Sequence, residues 1–211
     1  MRFPGFASDW EKTNLSNFGQ FLPGLTYRPE DISENGRLVL RSCNIQNGEL
    51  SLEDSLFVKQ SIVKPALSIR PCDILMCIRN GSKKLVGKTA LLLSNDPKLT
   101  WGAFMAIIRP KNHSSFLFHY LNSPSFKKQI FPDTNTATVN QITAGIYNRC
   151  KIYLPNPVEQ KKIASLMDAI GRRIFVQSKI IKEKRCLLKH LNDSLYERSD
   201  KRLYRFSHLI H

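Results

Sequence analysis

A heptad pattern in the C-terminal part constrains the fold of this 211-residue chain more than any other feature. From residue 163 to residue 195, steps of four and three residues alternate, and eight of the ten positions are apolar. These ten positions, called the seam, are Ile163, Met167, Ile170, Ile174, Gln177, Ile181, Lys184, Leu188, Leu191 and Leu195. The pattern predicts a coiled-coil helix that spans roughly 50 Å. A single small core does not need such a helix, so a partner helix is predicted, and folding back on its own domain is the alternative.

The chain changes character near residue 155. Before it, apolar runs such as "DILMCI", "KLVGKTALLL", "FMAIIRP" and "CKIYLP" alternate with Gly, Pro, Asn and Asp clusters, which predicts strands of a mixed sheet. The stretch "SSFLFHYLNSPSFKKQI" has helical spacing with a break at Pro124. Pro157 and Glu159 suit the first turn of a later helix. We therefore predict an α+β fold in three parts. These are a mixed-sheet domain (1–155), a long coiled-coil helix (156–198) and a flexible basic tail (199–211).

The chain is strongly basic. It has 32 Lys and Arg against 17 Asp and Glu, a formal net charge of +15 and a pI of about 9.8. This balance favours a polyanionic partner, most often nucleic acid. The sheet domain and the later residues share the excess almost equally, so local clusters say more than the total. A basic protein without such a partner is the alternative.

The segment "CDILMCIRNGSKKLVGKTALLL", residues 72–93, contains the clearest local cluster. Two apolar runs, 74–78 and 85–93, are typical of paired strands. The polar insert between them, residues 79–84, is then a hairpin loop, here called the cationic loop. It carries three cations, an amide and a hydroxyl but no acid.

The residue types of the cationic loop suit a DNA groove. Arg79 can donate two hydrogen bonds to guanine O6 and N7, and Asn80 can pair with adenine N6 and N7. Ser82, Lys83 and Lys84 can bind phosphates, which position a protein without specifying sequence. A solvated turn is the alternative.

Three further segments carry side chains that suit DNA. "TNTATVNQIT", residues 134–143, is rich in hydroxyls and amides, although a capped turn into a short helix is equally consistent. "RSCN" ends an apolar run, and "KLTWGAF" offers a hydroxyl close to the backbone. The candidate residues in these segments are Arg41, Asn44, Thr100, Thr138, Asn140 and Gln141.

Catalytic signatures are nearly absent. The sequence has no GxxxxGK[ST], GxGxxG or GxSxG pattern. One loose match to restriction-type nucleases pairs Asp133 with Glu159 and Lys161, in which carboxylates would hold magnesium and the lysine would steer water. The second half of that motif belongs on a strand, whereas Glu159 is expected to open a helix. We therefore disfavour a nuclease.

The cysteines indicate a reducing environment. The chain has five, none in a CxxC pair, which predicts free thiols and no zinc site. The opening residues lack the apolar stretch of a signal peptide, and no run of about 18 apolar residues occurs. We expect a cytoplasmic protein without a membrane span.

Several stretches carry a family resemblance. "LRSCNIQNGEL" resembles a recurring R-x-x-N-I-x-x-G step. "CDILMCIRNGSKKLVGKTALL" resembles a GDIL…GxxGKxA core, with Cys72 where Gly is usual. "YLPNPVEQKKIASLMDAI" resembles LPxxxEQxxIAxxLxxxD, at the start of a conserved helix. With the opening "RFPGF…DWEKTNLSNFG", residues 1–197 resemble half of the specificity (S) subunit of Type I restriction–modification enzymes.

The resemblance implies a DNA-reading subunit without chemistry of its own. S subunits of this family carry two target recognition domains, each reading half of a split site in double-stranded DNA, and two antiparallel helices that space them. Methyltransferase (M) subunits supply S-adenosylmethionine, and a motor-nuclease (R) subunit adds ATP-dependent cleavage. No cofactor is therefore expected in this chain, since S-adenosylmethionine, ATP and magnesium belong to the partner subunits.

The chain departs from the family in having one recognition domain and one helix. We expect a non-catalytic recognition subunit that reads half of a bipartite site and pairs through the seam, with itself or with a second S half. A homodimer would have twofold symmetry and a symmetric target. Gln177 and Lys184 would fix its register. The alternatives are a decoy half-subunit that occupies methyltransferase without reading DNA, and the disfavoured nuclease.

Overall fold

The structure is a computed structural model that describes residues 3–131 and 141–207, with side chains up to residue 196. Within these ranges it contains eleven strands and five α-helices. The strands are β1 (Glu11–Asn14), β2 (Gly19–Pro23), β3 (Ile32–Leu40), β4 (Ile45–Gln46), β5 (Glu49–Leu50), β6 (Phe57–Val58), β7 (Ile74–Cys77), β8 (Thr89–Leu91), β9 (Leu99–Trp101), β10 (Met105–Pro110) and β11 (Lys151–Leu154). The helices are α1 (Leu15–Phe18), α2 (Ser114–Leu121), α3 (Pro124–Ile130), α4 (Ala144–Arg149) and α5 (Pro157–Ser207).

A four-stranded antiparallel sheet in the order β2-β10-β7-β8 forms the centre of the sheet domain. Its inner strands read as unbroken apolar runs because both of their faces are buried. Ile74 and Met76 face one core, together with residues of α2, α3 and α4. Leu75 and Cys77 face a second core, together with residues of β3 and β9. The sheet domain therefore has two hydrophobic layers, one on each side of this sheet.

The second layer rests on a three-stranded mixed sheet in the order β6-β3-β9. β3 pairs antiparallel with β6 and parallel with β9. Two smaller pairs, β1-β11 and β4-β5, complete the strands of the described chain. The predicted α+β class with a mixed sheet is confirmed.

The predicted hairpin is confirmed, but its strands are shorter than the apolar runs. β7 and β8 pair antiparallel. The second run, expected from residue 85, begins instead with a 3₁₀ turn at Lys83–Leu85. Gly87 follows at φ +82, in the left-handed region that glycine tolerates, and a Cβ there would lie 3.2 Å from Ile130. The chain therefore turns before it can pair, and β8 begins only at Thr89.

The long helix α5 begins in the sheet domain. Asn156 caps it, since its Oδ1 accepts a hydrogen bond from the Glu159 N–H (2.9 Å), and Pro157 occupies the first turn as predicted. The Gln160 amide donates to the Pro155 carbonyl (2.8 Å), and Ala164 is buried in the first core. The chain divides into two compact units, Met1–Met167 and Asp168–His211.

Two expectations concern the ends of this helix. Ile163, predicted to face a partner helix, is half-buried and packs in part against the first core of its own domain, so its pairing with a partner helix stays a prediction. The residues from 199 were predicted to form a flexible tail, but α5 continues to Ser207, and residues 208–211 lie outside the described chain. Lys, Arg, Leu and Glu retain high helix propensity after the heptad ends, which explains the extension.

The second unit consists of helix in the part of the chain described. Every side chain from residue 169 to residue 196 is exposed, and this range includes the seam positions from Ile170 to Leu195. The exposed fractions reach 61% at Ile174, 60% at Leu188 and 64% at Leu195. In the part of the chain that the structure covers, no helix combines the length and the apolar character needed to cross a bilayer.

A buried ion pair ties the central sheet to the segment before it. The Arg109 guanidinium donates to both carboxylate oxygens of Asp73 (2.9 and 2.8 Å) and to the Ser68 carbonyl (3.0 Å). The Asp73 side chain is 1% exposed, so Arg109 supplies the cation next to a buried carboxylate.

Removing this cation is expected to destabilise the fold strongly. Arg109→Met leaves the Asp73 carboxylate buried without its cation, which should lower the free energy of unfolding by about 3–5 kcal/mol. Arg28→Met is the matched control, because the Arg28–Glu30 pair is exposed and should be worth less than about 1 kcal/mol. Urea denaturation at neutral pH measures both, and equal losses would contradict the expectation.

Candidate nucleic-acid interface

The cationic loop is anchored at its base by the central sheet. The backbone N–H groups of Ile78 and Arg79 both donate to the Phe104 carbonyl, at 2.9 and 3.1 Å. The side chains of Arg79, Ser82, Lys83 and Lys84 are exposed, as a binding role requires. The fold therefore presents the acid-free loop to solvent from a fixed base.

Phe104 also lies beneath the side chain of Arg79. The guanidinium carbon is 5.2 Å from the centre of the Phe104 ring, and the ring is 59% exposed. Such a contact is worth about 0.5–1 kcal/mol at an exposed site and restricts the guanidinium while leaving its N–H donors available. Sequence reasoning missed this residue. The sequence feature that could have identified Phe104 is a large aromatic residue in a turn, between "WGA" and the apolar run of β10.

Two hydrogen bonds of the Asn80 side chain stabilise the conformation of the cationic loop. Its Nδ2 donates to Ser42 Oγ (3.1 Å), and its Oδ1 accepts from the Ser82 N–H (2.9 Å). The first bond joins the cationic loop to "RSCN", a candidate segment 38 residues away. Both ends of the amide are engaged within the protein, so reading of adenine by Asn80 stays a prediction that requires these bonds to exchange.

The cationic loop also contacts both described residues that border positions 132–140. Arg79 forms an antiparallel bridge with Gln141, and the Ile142 N–H donates to the Ile78 carbonyl at 2.7 Å. On the other side, Lys83 Nζ lies 5.2 Å from the centre of the Phe131 ring. Two separately predicted segments thus meet at one surface. Thr138 and Asn140 lie outside the described residues.

A groove of about 690 Å³ opens beside Phe104. Its lining includes Tyr27, Arg41, Ser42 and Asp54. Arg41 donates to Asp54 at 2.7 Å, so part of its charge is neutralised within the protein. The predicted DNA contact at Arg41 stays a prediction, made by a half-buried side chain that already has an anionic partner.

Two of the predicted DNA contacts need correction. Asn44 is 0% exposed, and its amide accepts from the Arg41 N–H and donates to the Ser51 and Asp54 carbonyls. Thr100 is also 0% exposed, and its hydroxyl donates to the Leu67 carbonyl at 3.4 Å. Both side chains satisfy backbone groups inside the fold and cannot reach DNA in this conformation. Sequence pattern could not separate them from surface residues of the same type.

The nuclease alternative has little support in the structure. Glu159 is 0% exposed and lies in the first turn of α5, not on a strand. Asp133 falls outside the described residues. Among the residues that are described, no group of three or more His, Cys, Asp or Glu side chains is placed to hold a metal ion.

The pKa of the Cys43 thiol depends on its neighbours in the groove. Burial raises the pKa of the Cys43 thiol, the hydrogen bond with Asp54 raises it further, and the Arg41 charge lowers it. The same hydrogen bond, followed by the Arg41 charge, lowers the pKa of Asp54.

Neutralising Asp54 is therefore expected to speed alkylation of Cys43. In Asp54→Asn the carboxylate no longer raises the pKa of the thiol, so more thiolate is present at about pH 8. Iodoacetamide labelling followed by mass spectrometry measures the rate, and Glu53→Gln is the control with an adjacent exposed carboxylate. Slower labelling in Asp54→Asn would contradict this arrangement.

Known proteins are similar to this chain in sequence. Residues 7–183 match the family model described as Type I restriction modification DNA specificity domain. The chain is 30% identical over 168 residues to the Type I restriction enzyme EcoKI specificity subunit of Escherichia coli (strain K12), covering 76% of this chain and 36% of that protein. It is 29% identical over 168 residues to the StySPI specificity subunit of Salmonella potsdam, with the same coverage of 76% and 36%.

A solved structure shares the fold. The crystal structure of the HsdS subunit from Thermoanaerobacter tengcongensis superposes with a TM-score of 0.60 at 19% identity, covering 83% of this chain and 41% of that chain. The chain thus spans little more than a third of the length of the curated relatives it matches. Because the family model matches well over half of its residues, the chain belongs to the family of Type I restriction modification DNA specificity domains.

Proposed function

We propose that this chain is a sequence-recognition subunit of a Type I restriction–modification system and has no catalytic role of its own. One observation carries the proposal. The fold brings the exposed cations of the cationic loop together with Ser42 and Gln141, which are both half-buried, and the loop contains no acid to repel phosphate. Family membership and the basic composition support the same function. The partners in the proposal are double-stranded DNA, methyltransferase subunits and a motor-nuclease subunit.

The residues of this surface have different roles in the proposal. Arg79 reads guanine in the major groove, with its guanidinium restrained over Phe104. Lys83 and Lys84 contact phosphates together with Ser82, which sets position without sequence preference. Gln141 lies beside Arg79 and is the second base-reading candidate. The outlying candidates Thr138 and Asn140 belong to the same proposal on sequence grounds alone.

Loss of Arg79 should relax the recognition of one base. Arg79→Ala, assembled with methyltransferase subunits, is expected to lose about 1–3 kcal/mol of binding to the preferred site and to tolerate any base at one position. Lys84→Ala should instead weaken binding to all sequences alike and reduce its salt dependence. Selection from a randomised duplex library measures both. Unchanged discrimination by Arg79→Ala would remove Arg79 from the reading surface.

We also propose that two copies pair through the seam as an antiparallel homodimer, which presents two identical recognition domains to a symmetric split site. The exposed apolar side chains of the second unit support this, since such a row on one helix is typical of an interface. Pairing with a different S half is the alternative that the same seam permits.

Charges placed in the seam should dissociate the homodimer. Ile174→Asp with Leu188→Asp is expected to convert a dimer of the 24.2 kDa chain into a monomer at micromolar concentration. Val176→Asp is the matched control, because Val176 is also exposed (52%) but lies off the seam. Light scattering gives the mass. A wild-type monomer would exclude self-pairing under these conditions and direct the search to a second S half.

The decoy alternative differs from this proposal in one measurable property. A decoy half-subunit would bind methyltransferase subunits tightly but leave the assembly without sequence preference. The library selection described above therefore separates the two functions. Magnesium-dependent cleavage by the isolated chain, lost in Glu159→Ala, would instead favour a nuclease.

A further inference from the structure

An apolar groove of about 570 Å³ lies within the first unit, between the N-terminal segment and the start of α5. Phe3, Pro4 and Trp10 line it from the N-terminal segment, and Glu159, Ile163, Leu166 and Met167 line it from α5. Three of its large apolar side chains are exposed, with Trp10 at 40%, Leu166 at 49% and Met167 at 42%. The proposed DNA surface uses none of these residues.

This apolar groove is continuous with the seam. Ile163 and Met167 line it, and they are the first two seam positions. The next seam residues, Ile170 and Ile174, are 44% and 61% exposed. The heptad spacing that begins at residues of the apolar groove therefore continues in the sequence of the second unit.

The spacing of the seam selects one antiparallel register. In antiparallel coiled coils each a position meets a d position of the other helix, so registers differ by whole heptads. One register pairs all ten seam positions, with its centre at Lys179. The pairs are Ile163 with Leu195, Met167 with Leu191, Ile170 with Leu188, Ile174 with Lys184, and Gln177 with Ile181. A slip of one heptad in either direction leaves two apolar positions of each helix unpaired.

We propose that the apolar groove of one copy receives Leu191 and Leu195 of a second copy in this register. The inference rests on the proposed self-pairing and adds its register and its end contacts. The side chains that enter the groove are apolar and exposed in the single chain. The exposed fraction is 53% for Leu191 and 64% for Leu195, and 74% for the neighbouring Tyr196. Trp10 becomes covered by the second copy, as do Leu166 and Met167.

Disulfide trapping tests the register. In a background with Cys72→Gly and Cys186→Ser, which removes the two exposed native thiols, Met167→Cys with Leu191→Cys should yield a covalent dimer under mild oxidation. Within one helix these positions are about 36 Å apart, so the disulfide can form only between copies. Met167→Cys with Lys184→Cys is the matched pair for the slipped register and should remain uncrosslinked.

The outcomes separate this inference from the homodimer itself. Preferential trapping of the Lys184 pair overturns the register, and so does trapping of neither pair in a protein that light scattering shows to be dimeric. In both cases the proposed homodimer stands. A monomeric protein overturns the homodimer and the register together.

Trp10 tests the occupied groove separately. The chain has two tryptophans, and Trp101 is fully buried, so collisional quenching by acrylamide reports mainly on Trp10. Trapping of the Met167–Leu191 pair should reduce this quenching by about half and shift emission to shorter wavelength, as apolar area is removed from water. Trp10→Phe should abolish the change. Unchanged quenching in the trapped dimer overturns the groove contact and leaves the register intact.

Discussion

Burial of the central sheet on both faces is the constraint on which the rest of the structure depends. β7 and β10 form the middle of that sheet, and alternate residues of β7 belong to two different cores. Neither strand can shift by one residue without moving every side chain to the opposite layer. The hairpin between β7 and β8 therefore has a fixed register, and the cationic loop emerges at one defined edge. The Asp73–Arg109 ion pair reinforces this position. Asp73 directly precedes β7 and Arg109 lies in β10, and Arg109 also donates a hydrogen bond to the Ser68 carbonyl in the segment before β7.

The candidate interface is built from contacts between segments that are distant in the chain. Asn80 bonds Ser42, Arg79 stacks on Phe104 and bridges to Gln141, and Lys83 lies over Phe131. The ring contacts of Arg79 and Lys83 restrict charged side chains while leaving their N–H donors available. A restrained guanidinium loses less conformational entropy on binding than a free one, which favours selective contact with a base.

The long helix obeys a different constraint from the sheet domain. Its first turns pack against the sheet domain through Gln160, Ile163 and Ala164, whereas the seam side chains from Ile170 to Leu195 are exposed. Apolar side chains such as Ile174 and Leu188 gain little from a solvated single helix, since hydrophobic stabilisation follows the area removed from water. Their heptad spacing is the spacing that buries apolar side chains against another helix.

Periodicity and local chemistry in the sequence alone determined several elements of this protein. The hairpin around the cationic loop, the helix break at Pro124 and the start of α5 at Pro157 follow from patterns within a few residues. The length of the seam predicted that most of it would extend beyond what the core of the sheet domain needs. Tertiary structure decided which polar residues reach the surface. Asn44 and Thr100 resemble DNA contacts in sequence but lie in the interior, and Phe104 became part of the site only because β10 brings it beneath Arg79. Burial and long-range contacts depend on how distant segments pack together. The residue pattern within a short stretch of sequence does not show which distant segments will cover it.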